Sequence, residues 1–141
     1  QAVRLPHCPG CGGMAGHDDA DAPSTDIKIV IGQAQRYPDR NLNIFGRVIH
    51  GMDAVQKIRR GPVNDNGILR DDRVSSRIRS IRLGSDIEAE ERLSALIMDT
   101  SSPGFAELLR DRRERKQRFF HQQPPQVLDV CQVPMAGRIT K

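Results

Sequence analysis

Apolar and polar positions alternate in only a few short stretches of this chain, and each stretch predicts a small element. Ile27, Ile29 and Ile31 are separated by Lys28 and Val30, and Gly32 closes the run. A β-branched run of period two predicts a strand with one buried face. Residues Gln1 to Thr25 are rich in Gly, Pro, Asp and Ala and lack periodicity, which predicts loop with at most one short strand around Met14. Asn43 to Val48 predicts a second strand. Between the two strands, QAQRYPDRNLN carries a Tyr-Pro-Asp-Arg-Asn cluster that favours turns, so an exposed loop is expected there.

Further on the period changes from two to three. Met52, Val55 and Ile58 form the apolar stripe of a short helix covering the sheet, with Lys57, Arg59 and Arg60 at its end and Gly61-Pro62 stopping it. A polar loop from Val63 to Arg73 follows. Ile78, Ile81 and Leu83 then lie in the strand-like run RIRSIRLG. Ser85 and Glu88 have capping-box spacing and predict a helix to about Ile97, with Ile87, Leu93, Leu96 and Ile97 apolar. Ser102-Pro103 opens another helix, FAELLRDRRERKQR. Beyond Phe119 and Phe120, the Pro-rich stretch HQQPPQVLDVCQVP is expected to be extended, docking through Val127, Leu128, Val130 and Val133.

Composition limits how large a core these elements can build. Hydrophobic residues make up 37%, aromatics 4%, and Trp is absent. That favours a small sheet with extended flanks over a well-filled domain. The net charge of +4 is spread over arginine-rich stretches and fits a solvated helix with Glu and Arg pairs, so no nucleic-acid partner is expected. No run approaches the roughly 20 apolar residues of a membrane span, so no membrane association is expected. The opening QAVRLPHCPG lacks the apolar core of a signal peptide, and any targeting segment would lie upstream of Gln1.

The candidate chemistry is sparse. His7, Cys8 and Cys11 form H-C-P-G-C, which is compatible with a zinc half-site, a redox dithiol or plain loop cysteines. A structural zinc needs four ligands, and Cys131, His17, His50 and His121 are scattered. Asp18, Asp19 and Asp21 lack the spacing of a calcium loop, and Asp65, Asp71 and Asp72 lack a paired apolar setting for acid-base work. Neither a metal nor another cofactor is expected, and no catalytic residue is identified.

One string is more specific than these patterns. FGRVIHGMDAVQKI, Phe45 to Ile58, extended upstream to Ile29, resembles the strand, loop, strand and helix of bacterial cyclophilin-type peptidyl-prolyl isomerases. Met14-Ala15 and Ser24-Thr25 fall where that family has its Met-Ala strand and glycine-rich turn. The downstream sequence is similar to a subgroup with a carboxy-terminal extension.

The resemblance implies a mainly β fold. The expected architecture is a partial cyclophilin-like barrel with a short covering helix over residues 1–84, then a helical and extended carboxy-terminal extension over residues 85–141. The implied activity is rotation about X-Pro bonds, a barrier of roughly 18–20 kcal/mol set by amide resonance, and the implied partners are proline-containing peptides or unfolded proteins. Ala15 matches the substrate-backbone strand. Lys28 stands where the family has a pocket aromatic, Tyr37 where some members have Trp, and Leu42 where the family has a pocket His. The family's catalytic arginine and its Phe-x-x-Gln element have no counterpart here, so weak or absent catalysis is expected, the alternative being a non-catalytic interaction module.

The subgroup also carries cysteines in the contexts HCPG and DVCQVP, which implies a disulfide between Cys8 and Cys131. With it comes a periplasmic setting, the alternative being cytoplasmic. Half a barrel leaves open sheet edges, so self-association through them is expected as well.

Overall fold

The computed structural model describes residues 5–16, 23–122, 125, 127–135 and 137–140. Three strands build the first sheet: β1 (Cys11–Gly16), β2 (Pro23–Ile29) and β3 (Ile44–Arg47). Their order is β2-β1-β3 and both pairings are antiparallel, so β1 is central. A central strand reading CGGMAG is poor in side chains, and Gly12 and Gly13 let neighbours come close. A Cβ on Gly13 would overlap the backbone oxygen of Asn43, and one on Gly12 would stand 3.5 Å from the Phe45 ring. The sheet stays open, with β2 and β3 as its edges.

The strand around Met14 forms as expected, and so does the strand after Asn43. The isoleucine face does not behave as alternation predicts. Ile27 is 52% exposed, and Ile29 and Ile31 are exposed as well, whereas Lys28 and Val30 between them are half-buried. The reason is the absence of a second layer: no described helix packs on the sheet to cover the isoleucines. β2 also starts earlier than Ile27, because Gly16 of β1 is paired with Pro23.

Helix α1 (Met52–Gln56) begins after Gly51, whose φ of 80° suits glycine, and closes at Lys57. It is shorter than the Met52-to-Ile58 stripe predicts and, among the described residues, packs on no strand. The covering helix is therefore present but does not cover the sheet.

The second half departs further from expectation. RIRSIRLG forms no strand, and Ile78, Ile81 and Leu83 are exposed. The helix expected from Ser85 is replaced by one 3-10 turn, Gly84–Asp86, then irregular chain and strand β4 (Ala95–Ile97). Ser85 Oγ bonds the neighbouring Asp86 carboxylate at 3.0 Å rather than capping a helix. Leu93, Leu96 and Ile97 had no surface on which to bury a helical stripe. A strand partner is available instead: β5 (Gly137–Ile139) pairs antiparallel with β4, with Leu96 opposite Arg138.

Helix α2 (Pro103–Glu114) forms where Ser102-Pro103 predicts it. Ser102 Oγ accepts from the Phe105 amide at 3.2 Å, and Arg112 and Arg113 lie in the last turn, where cations suit the helix dipole. Of the residues expected to dock the tail, Leu128 and Val133 are half-buried, while Val127 and Val130 are exposed. Among the described residues no helix is long and apolar enough to cross a membrane.

Candidate functional site

Among the described residues the most buried side chains are not aliphatic. His7, Cys8 and Cys11 are 4%, 6% and 8% exposed, and Gly10, Gly12 and Gly13 are buried beside them. The Cys8-Pro9-Gly10-Cys11 turn places these groups: the Cys11 amide donates to the Cys8 carbonyl at 2.9 Å, and Gly10 has a φ of 83°. Pro then Gly with positive φ and this bond is the signature of a type II turn. Gly10 in turn joins both flanking segments, its amide donating to Val30 and its carbonyl accepting from Val48.

His7 lies at the centre of a three-residue chain. Its Nδ1 is 2.8 Å from Asp39 Oδ1 and its Nε2 is 2.9 Å from Lys28 Nζ. A carboxylate can only accept and an ammonium can only donate, so the proton belongs on Nδ1 and Nε2 accepts from the lysine. The His7 amide donates to the same Asp39 oxygen at 2.7 Å, and Arg36 reaches the other oxygen at 3.3 Å. The His7 amide, then its ring, then Arg36 hold the Asp39 carboxyl below its ordinary range, outweighing burial. Burial pushes the Lys28 ammonium below its ordinary value.

Of the residues singled out by resemblance, Lys28 is a member of this chain, and Tyr37 and Leu42 lie on the loop it fastens. Lys28 is opposite Gly13 in the ladder, and a Cβ on Gly13 would stand 3.0 Å from Lys28 Cε. The glycine therefore leaves room for the lysine stem to cross the strand and deliver its amine to the buried imidazole, instead of turning it out to solvent. Ala15 is half-buried on β1, where the β1–β2 register shifts between Met14 and Gly16. Tyr37 is 72% exposed, and Leu42 is half-buried with its amide bonded to the Pro38 carbonyl at 3.0 Å. Both belong to the loop that Asp39 fastens to His7, so the imidazole ties that loop to Lys28 on β2. Ala15 is not part of this hydrogen-bonded chain.

Cys8 and Cys131 are joined as a disulfide across 123 positions, and Cys11 is a free, buried thiol. Arg36 stands at this junction too: it bonds Asp129 at 3.2 Å and lies 3.7 Å from the Cys131 sulfur. An open cleft of about 420 Å³ runs along it, lined by His7, Pro9, Gln33, Arg36, Asp129 and Cys131 among others.

Sequence reading reached His7 only as a member of H-C-P-G-C, and Asp39 only as a turn residue. Nothing local marks their pairing, since 32 positions separate them. Among the described residues no group of three His, Cys, Asp or Glu side chains is placed to hold a metal. His17, Asp18, Asp19 and Asp21 lie outside the described residues.

Residues 1–82 match the family model for cyclophilin type peptidyl-prolyl cis-trans isomerase/CLD, more than half of the 141 residues. Among solved structures, the chain is similar to the crystal structure of the cyclophilin AquaCyp293 from Hirschia baltica, with a TM-score of 0.67 and 23% sequence identity. The likeness covers 95% of this chain and 43% of that one, so the chain spans less than half the length of the structure it resembles. At that identity it is a likeness of fold. No curated protein matches.

Proposed function

The chain belongs to the cyclophilin-type peptidyl-prolyl cis-trans isomerase family, and from this membership we propose that it binds proline-containing segments of peptides or unfolded proteins while catalysing their isomerisation weakly or not at all. The binding surface in this reading is the side of β1 and β2 near Ala15 and Lys28, bordered by the loop that carries Tyr37 and Leu42. Residues 1–84 form the binding portion and residues 85–141 an extension.

The observation that carries the reading is the Lys28 amine bonded to His7 at 2.9 Å. It occupies the position where resemblance calls for a pocket aromatic. A charge against a proline ring costs several kcal/mol of the order given by polar-group transfer, so it weakens any grip on the twisted bond. The ammonium is bonded to the His7 imidazole, and moving it away from such a pocket would break that bond.

The test is a protease-coupled isomerisation assay on X-Pro peptides, run beside amide chemical-shift titration with the same peptide. Expected are shifts clustered at residues 13–15, 28 and 37–42, with turnover far below that of a complete cyclophilin. Turnover comparable to a complete cyclophilin would overturn the weak-catalyst reading, and an absence of shifts would overturn binding.

The Cys8–Cys131 disulfide supports placing the chain in an oxidising compartment such as the periplasm rather than the cytoplasm. Alkylation of intact cells before lysis should leave Cys8 unmodified; labelling of Cys8 together with Cys11 and Cys131 would point to a reducing compartment. The edge positions of β2 and β3 in the three-stranded sheet, among the described residues, and the exposed Ile27 and Ile29 support self-association. Sedimentation at rising concentration should show it, and a monomer throughout would refute it.

A further inference from the structure

We propose that Cys8, Cys11 and Cys131 form a thiol-disulfide exchange centre, in which Cys11 displaces Cys131 from Cys8 and releases the carboxy-terminal segment. Three independent features point to it. First, an attacking thiol is close by: Cys11 is free, shares the 8–11 turn with Cys8, and donates its S–H towards the Pro6 carbonyl at 3.8 Å. A β-turn holds its end Cα atoms within about 7 Å, and disulfides bridge Cα separations up to about 6.8 Å, so the turn brings the pair within bridging reach.

Second, the two sulfurs of the existing bond differ in their surroundings. Cys8 is buried at 6% exposure on the side of the turn, whereas Cys131 lines the open cleft. Third, the Arg36 guanidinium lies 3.7 Å from the Cys131 sulfur. An adjacent arginine favours a thiolate, and a better-stabilised thiolate leaves faster. Attack on Cys8 with departure of Cys131 is thus the direction in which the charge develops beside a cation.

The step balances without an external oxidant or reductant. The Cys11 thiol gives its proton to solvent, and the thiolate attacks the Cys8 sulfur. A Cys8–Cys11 bond forms as the Cys8–Cys131 bond breaks, and its electron pair leaves on the Cys131 sulfur, held by Arg36 or protonated from solvent. The number of disulfides and free thiols is unchanged. The covalent tie across 123 positions is gone, and only contacts such as Arg36 with Asp129 hold the segment to the loop.

The test uses the purified, oxidised full chain. It is held at mildly alkaline pH with iodoacetamide and no added thiol, quenched with acid, and mapped by peptide mass analysis. The expected label moves onto Cys131, with a peptide carrying the Cys8–Cys11 bond two hydrogens lighter than its reduced form. Arg36→Gln should slow appearance of the Cys131 label several-fold, and Cys11→Ser should abolish it.

Label confined to Cys11, or no label at all while the Cys8–Cys131 bond persists, overturns the proposal. So does Cys131 label of undiminished rate in Cys11→Ser. If Cys11→Ser does not fold, the wild-type label distribution and the Arg36→Gln rate decide the question by themselves.

Discussion

Lys28 Nζ lies 2.9 Å from Nε2 of His7, so a strand lysine at a polar position of the alternating pattern ends on a ring that is only 4% exposed. The contact links β2 to the segment before β1, and through Asp39 to the loop before β3. A polar chain of three side chains thus takes on work that an aliphatic layer does in a larger core.

Removing the middle of that chain should cost more than removing an end. His7→Ala leaves the buried Lys28 amine without its imidazole partner and removes the ring bond to Asp39, which keeps the amide of residue 7 and Arg36, a loss of about 1–3 kcal/mol. Lys28→Met keeps the stem over Gly13 and removes the charge, so its cost should be smaller. In urea unfolding, the double variant should reveal a coupling of about 0.5–3 kcal/mol between the two sites. Simple additivity would mean that the bond contributes nothing.

Asp39 should contribute to the acid limb of stability. Its folded-state pKa is held below the ordinary value of 3.8, so the unfolded state binds more protons through that window. The stabilisation is therefore fully present above about pH 4 and is lost as pH falls through the lower folded value. Asp39→Asn should flatten this part of the profile in urea unfolding at several acid pH values, relative to the wild type. An unchanged slope would show that other carboxylates carry it.

Lys28 has the opposite charge but the same sign of slope. Its folded pKa is lowered by burial from 10.5, so between the two values the unfolded state again holds the extra proton. Stability contributed at this site should rise with pH through the lowered value and level off above the unfolded one. Lys28→Met should remove that rise, as read by thermal unfolding across alkaline buffers.

Gly13→Ala should be one of the more damaging single-atom additions, because the new Cβ meets the Asn43 carbonyl oxygen and the Lys28 stem. Overpacking of this kind costs about 1–3 kcal/mol. Gly46→Ala on the neighbouring strand meets nothing among the described residues within 4 Å and should change stability by less than about 0.5 kcal/mol. Equal unfolding midpoints for the two variants would contradict the close approach.

The local elements that chain pattern revealed are those whose signals are local. Ser102 followed by Pro103 sets its own cap and first turn, so α2 starts where the sequence places it. Tyr37-Pro38-Asp39 turns because of its own backbone preferences, and Gly51 supplies the positive φ that begins α1. By contrast, Ser85 with Glu88 is also a local signal, yet no helix follows. A capping box contributes only about a kilocalorie, and Leu93, Leu96 and Ile97 needed a surface to bury against.

By itself the sequence determined the family, through the string from Phe45 to Ile58, and with it the β character of the first half. It also determined the turns, because Pro and Gly restrict the backbone whatever surrounds them. Tertiary structure alone decided which face of β2 is covered, that residues 95–97 pair with 137–139 as strands, and that His7 meets Asp39 and Lys28. Those outcomes depend on which groups arrive from 21 to 32 positions away, or farther for β5, to satisfy a hydrogen bond or exclude water. A pattern of period two records that one side of a strand differs from the other, and it does not record which side will find a partner.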